Sequence, residues 1–257
     1  MAKEIEKVKP QSLAIPDYLK DEVGNAGMEK GGAEEFNPPR LKICQSMSPE
    51  RQRSKGDKFI EGISDGQIFN SLERTVVGDK VEVIPLMYSR SQILFGEKGS
   101  PQQGKILCRS FNGINGGELS PTCRTCPNYD FDRKENKPPR CTKFMNFAVS
   151  VLPELKVMIF SFKSATIPNG KDWWTWINQK GMNAYTQVYE LTVVDKPMDK
   201  GTFFAPVMKF KRLVTADEVK LTKAQYNSVK EIVLPTDLDD DDIHDATETP
   251  AGEKEAF

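Results

Sequence analysis

The chain has 257 residues, of which 38% are hydrophobic, with a mean hydropathy of −0.52 and a formal net charge of −1. That length holds one large or two small domains, and no run approaches the roughly 18 consecutive apolar residues needed to span a bilayer. The single histidine, His244, lies close to the C-terminus, which removes Ser-His, Cys-His and His-metal arrangements from the rest of the chain.

Residues 1–35 are charged and glycine-rich, with five basic and eight acidic side chains. They are expected to be a largely disordered leader, with Ile15-Pro16-Asp17-Tyr18-Leu19 as a short docking turn. The N-terminus, MAKEIEKVKPQ, has no hydrophobic stretch of the signal-peptide kind, so a cytoplasmic protein is expected. Arg40–Gln45 reads as a first strand. Lys58–Leu72 alternates Phe59, Ile60, Ile63, Ile68 and Phe69 around Ser64-Asp65-Gly66, the pattern of a hairpin or a bulged strand. Val81–Phe95 predicts a long strand in which Pro85 marks an edge or a bulge. A cysteine-bearing insertion over 108–141 follows. Lys143–Leu152 and Leu155–Lys163 predict a hairpin turning at Pro153-Glu154. Asp172–Gln179 predicts a short helix with Trp173, Trp176 and Ile177 on its core stripe. Tyr185–Val194 and Thr202–Val214 return to strand character. Thr222–Val233 predicts a helix, with Thr222 and Gln225 at capping-box spacing. Many strands, few helices and long insertions make the fold class mainly β, with a barrel-like body over 36–235.

Four of the five cysteines, Cys108, Cys123, Cys126 and Cys141, have the spacing C-x14-C-x2-C-x14-C. Two thiolates two residues apart can approach one tetrahedral ion from a tight turn, and the flanking pair completes a four-cysteine set. Soft sulfur ligands favour zinc first, and iron or an iron–sulfur cluster second. The competing reading of the central pair is a redox couple. Four thiolates leave no open position for activated water, so the expected Zn2+ is structural. The insertion has too few apolar residues for a core of its own, and a metal can replace one. Cys44 lies in an apolar strand pattern and is expected to be a buried thiol.

Cations that track phosphates and aromatic faces that stack on bases together hold nucleic-acid strands without sequence preference. In and beside the insertion, Arg109, Arg124, Arg140 and Lys143 are interleaved with Phe111 and Tyr129. Further along, alternation places Phe144 outwards on its strand, and Leu155–Lys163 is apolar on both faces, so that Phe160 or Phe162 is a candidate for exposure. Trp174 is off the core stripe of its helix. Lys209 and Lys211 share one face of the penultimate element, with Arg212 beside them.

Residues 236–257 close the chain with nine carboxylates against one lysine, among them the run Asp239-Asp240-Asp241-Asp242, and end in Phe257. A near-neutral total therefore conceals a basic body and an acidic tail, expected to be disordered. Such a tail either solubilises or competes with an outside polyanion for the body's cations. The terminal aromatic favours the second use.

A basic β-rich body, a cysteine loop and an acidic tail ending in an aromatic together resemble bacteriophage single-stranded DNA-binding proteins. Leu238–Ile243 with Phe257 is similar to the acidic, aromatic-ended tips of the bacterial members and of some phage members. The cysteine loop is similar to that of a zinc-containing phage member whose site uses three cysteines and a histidine where this chain offers four cysteines. Pro39–Glu50 and Lys80–Arg90 also resemble segments of phage proteins of this class. The resemblance implies an OB-fold barrel and a non-enzymatic role in DNA replication and recombination in an infected host cell. It also implies a tail that recruits a polymerase, helicase or primase. A zinc-ribbon adaptor or transcription regulator that binds protein is the alternative. An enzyme such as a nuclease ranks lowest, because the body carries scattered carboxylates and no catalytic motif.

Overall fold

The computed structural model describes residues 38–97, 99–131, 139–198, 201–232 and 234. The expected disordered leader with its docking turn, the acidic tail and Val233 lie outside the described residues.

Two antiparallel sheets account for most of the body. The smaller has the order β1-β2-β3, from Leu41–Ile43, Ile68–Asn70 and Thr75–Gly78. Only the end of the expected Lys58–Leu72 hairpin forms. Before β2 the chain runs through short 3-10 turns at Pro49–Arg51 and Arg53–Lys58 and then irregular backbone. Ile60 and Ile63 pack there with Cys44 and Phe69 in a small core, where burial pushes the Cys44 thiol up to about 11.

The larger sheet has the order β7-β6-β4-β8-β9, with β5 paired to the far end of β4. Its strands are β4 (Lys80–Phe95), β5 (Ile106–Ser110), β6 (Cys141–Val151), β7 (Lys156–Lys163), β8 (Gln187–Met198) and β9 (Gly201–Leu213). β4 is interior, so Pro85 marks a bulge rather than an edge. The register against β6 shifts between Pro85 and Met87. The β6–β7 hairpin turns where expected, through a cis Leu152–Pro153 bond. β1 touches the β7 edge through an Arg40–Ile159 bridge. At the opposite edge the Gln45 side chain donates to the Phe204 carbonyl and accepts from its N–H, at 2.8 and 2.9 Å. These contacts bring the small sheet against both edges of the large one, yet no closed barrel forms among the described residues. What stands of the expected OB-like barrel is a mainly β, two-sheet architecture with few short helices.

Both faces of the large sheet are covered, and its apolar side chains sort into two cores. On one face Val83, Phe147, Phe160, Phe162, Tyr189 and Leu191 pack with Leu41 and Ile68 of the small sheet and with Trp173 and Ile177 of α1 (Ile167–Gln179). On the other face Ile84, Leu86, Ala148, Ile159 and Val188 pack with Val229 of α2 (Ala216–Val229). The buried stripe of α1 is Gly170, Trp173 and Ile177, and Trp176 is exposed instead of joining it. Gly170 permits a close approach: a Cβ there would lie 2.8 Å from Phe162 Cγ.

α2 begins at Ala216, about 1.7 turns before the expected start at Thr222. Its capping box is Thr215–Glu218, in which the Thr215 hydroxyl accepts from the Glu218 N–H and the Glu218 carboxylate accepts from the Thr215 N–H. Thr222 is instead a buried helix residue whose hydroxyl donates to the Val219 carbonyl, and Gln225 reaches the Leu155 carbonyl. No helix of the described residues is long and apolar enough to cross a membrane.

Candidate nucleic-acid interface and cysteine cavity

Strand register places one set of side chains on a single face. Tyr88 is paired with Phe147, Arg90 with Met145, Gln92 with Lys143 and Leu94 with Cys141, with no register shift among them. On the other side of β4, Gln92 is paired with Ser110 and Leu94 with Cys108. Directly paired residues in antiparallel strands point to the same side. Tyr88, Arg90, Gln92, Lys143, Cys108 and Cys141 therefore share the face that α1 covers at its other end. Seven residues of β4, from Tyr88 to Leu94, carry this row over ~20 Å at a rise of ~3.4 Å per step, with Gln92 and Leu94 buried within it.

At one end of the row, Trp174 projects from α1 with 43% of its surface exposed, its ring centroid 6.2 Å from that of Tyr88. Arg90 is exposed two residues further along β4. At the other end, the Lys143 ammonium lies 4.1 Å from the Tyr129 ring centroid and 3.7 Å from an Asp130 carboxylate oxygen. Arg109 is paired with Ile93 and so belongs to the reverse face of the sheet, where it lies over the ring of Phe111, 5.1 Å from its centroid; Phe111 is 55% exposed. The Arg109 Nε is buried without a hydrogen-bond partner. Arg124 and Arg140 are exposed, and Arg140 is ion-paired with Glu97 at 2.6 Å.

Three expected contact residues are core residues. Phe144, Phe160 and Phe162 are 1%, 3% and 0% exposed. At these positions both faces of β6 and β7 are covered, so a side chain that leaves one core enters another. Phe144 packs with Ile93 and Phe95, while Phe160 and Phe162 pack edge-on to one another near Trp173.

Lys209 and Lys211 are exposed on the opposite face from Trp174. Lys209 is paired in register with Glu190, and Glu190 with Glu82, whereas the intervening Tyr189 and Val83 belong to the α1-side core. Lys211 is 3.2 Å from Glu190. Arg212 makes two 2.8 Å hydrogen bonds to the Glu218 carboxylate, which hold that carboxyl down at about 2. Internal carboxylates thus already engage Lys211 and Arg212.

Tyr88 and Arg90 belong to the row although the apolar pattern of Val81–Phe95 had absorbed them into a core strand. The available signal was the polar break Tyr88-Ser89-Arg90-Ser91-Gln92 in an otherwise apolar run.

The four cysteines meet at the far end of the row. Cys108 comes from β5, Cys141 from the first residue of β6, and Cys123 and Cys126 from a 3-10 turn and its C-cap. All four line one cavity of about 20 Å³, together with Gln92, Ser110 and Tyr129. Backbone bonds set the turn: the Cys123 N–H donates to Ile114, the Cys126 N–H to Cys123, and the Cys141 N–H to Asn128. The Asn128 amide lies 3.8 Å from Cys126 Sγ. Gly117 closes the opposite wall, where a Cβ would collide with the Arg109 carbonyl and lie 2.9 Å from Cys108 Sγ. Burial pushes the Cys141 thiol up to about 12, and the charges of Cys126, Cys108 and Cys123 add to the effect.

The donor set and its convergence on one cavity fit a thiophilic ion. Among the described residues no three or more His, Cys, Asp or Glu side chains are arranged to hold a metal ion.

Neither a curated protein nor a solved structure matches the chain. A family model does, over residues 8–233, a span that takes in both sheets, both helices and the cysteine insertion. On that match the chain belongs to the Pam3 phage gp34-like protein family.

Proposed function

We propose that this phage-family protein binds single-stranded DNA without sequence preference, as a non-enzymatic partner in replication and recombination. The observation that carries the reading is the row on one sheet face: Trp174 and Tyr88 at one end, Arg90 between, and Lys143 with Tyr129 at the other. The exposed Trp174 ring and the half-buried Tyr88 and Tyr129 rings offer π-faces to unstacked bases, and the cations between them neutralise phosphates. Duplex DNA keeps its bases stacked inside and offers the rings nothing, so the row favours single strands.

Cys108, Cys123, Cys126 and Cys141 would hold a structural Zn2+, which cross-links β5, β6 and the intervening turn and supplies no reactive position. The acidic tail, through Asp239–Asp242 and Phe257, would compete with DNA for the body's cations. Once displaced, it would recruit a polymerase, helicase or primase.

The test is a fluorescence-anisotropy titration of the full chain with single-stranded dT oligomers and with duplex DNA of equal length, across a range of salt. The expected result is a preference for the single strand, with affinity that falls steeply as salt rises. Equal binding of both, or a flat salt response, rejects the reading and leaves a protein-binding adaptor.

A further inference from the structure

The described part of the cysteine insertion has no apolar core. Phe111, Ile114, Leu119 and Phe131 are all exposed, and among the described residues 111–131 Cys123 alone has a buried side chain. Yet this segment carries the ring that meets Lys143. Tyr129 lines the cysteine cavity, and its N–H donates to the Cys126 carbonyl at 3.0 Å. The preceding residue, Asn128, accepts from the Cys141 N–H at 3.1 Å and approaches Cys126 Sγ with its amide. Lys143 follows Cys141 by two positions on the same strand face. Both members of the Lys143–Tyr129 pair are thus anchored to cysteines of the cavity, while Trp174 and Tyr88 are anchored to the α1-side core.

We propose that occupancy of the cysteine cavity by a thiophilic divalent cation controls one half of the strand-binding row. With the cation bound, the turn is fixed and Tyr129 stands against Lys143. Without it, nothing apolar holds the turn, and that end of the row loses its stacking ring. The Trp174–Tyr88–Arg90 end does not depend on the metal. This inference rests on the strand-binding reading and adds a regulator to it.

The experiment uses the full chain, treated with a chelator and then titrated with Co2+. Binding to four thiolates is expected to give intense thiolate-to-cobalt charge-transfer absorption, a readout that involves no DNA. A dT oligomer is then titrated into the metal-free and the Zn2+-loaded protein, each as parent, Tyr129→Ala and Trp174→Ala. Metal removal and Tyr129→Ala should each weaken binding by about 5- to 150-fold, the worth of one stack, and the two losses should not multiply. Trp174→Ala should lower affinity by the same factor with and without metal. The cooperative melt of the sheet should survive metal removal.

Absence of the cobalt spectrum with oligomer binding intact overturns the inference alone. So do multiplicative losses for Tyr129→Ala and metal removal, or unfolding of the whole body on chelation. A normal cobalt spectrum with no oligomer binding in either form overturns the strand-binding reading and, with it, the coupling.

Discussion

Trp173 and Trp174 are neighbours on α1 with opposite surroundings, and replacing each by Ala separates folding from binding. The Trp173 side chain is fully buried, its ring 4.4 Å from Phe147 and 5.7 Å from Tyr189. Truncating a buried Trp costs about 3–5 kcal/mol in transfer and cavity terms. For a body of this size each 1 kcal/mol moves the midpoint by ~2–4 °C, so Trp173→Ala should lower Tm by roughly 6–20 °C. Trp174 is 43% exposed, and its truncation should leave the midpoint nearly unchanged. If its ring stacks on a base, that loss is worth about 1–3 kcal/mol, or roughly 5- to 150-fold in Kd for a dT oligomer. The assays are a thermal melt and fluorescence anisotropy on the same preparations. A Trp174→Ala protein that melts with the parent and binds within about twofold of it would refute the stacking argument.

Acid should act through Glu218, whose carboxyl is depressed to about 2, chiefly by its hydrogen bonds with Arg212. A depressed folded value contributes stability above the unfolded carboxylate range and loses it as pH falls from about 5 towards 2. The Tm gap between parent and Glu218→Gln should therefore narrow over that window; a constant gap excludes the linkage. Gly170→Ala drives a methyl to 2.8 Å from Phe162 Cγ and should destabilise by about 1–3 kcal/mol in a denaturant titration, with a neutral result showing that α1 lifts freely from the sheet. Deleting 236–257 should tighten oligomer binding at low salt and abolish co-precipitation with a polymerase, helicase or primase. Unchanged low-salt affinity removes the competition.

The element order was readable from periodicity because long strands such as Val81–Phe95 and the turn at Pro153-Glu154 carry local signals. The solvent side of each strand was not. Alternation assigns an outer face only when one face is wet; here Phe160 and Phe162 lie under α1 and Phe144 is buried with Ile93 and Phe95 on the other face, so none of the three points outwards. The cap of α2 was missed because Thr215 and Glu218 precede the apolar positions used to locate the helix. Convergence of the four cysteines followed from spacing, since matched intervals let β5 and β6 flank β4 at Leu94. The separation of Lys209, Lys211 and Arg212 from Trp174 depends on which strand lies beside which. That pairing with Glu190 and Glu82 leaves no trace in local sequence.

β9 is an edge strand, and it is kept from accepting another chain by side chains rather than by a further strand. The Gln45 amide occupies the outward donor and acceptor of Phe204; two residues on, Pro206 has no N–H to offer and its carbonyl is taken by Asn169. Lys209 and Lys211 then set charge along the remainder. Two copies of the chain brought together at this edge would therefore meet without zipping into one continuous sheet, and could part again without breaking a backbone ladder.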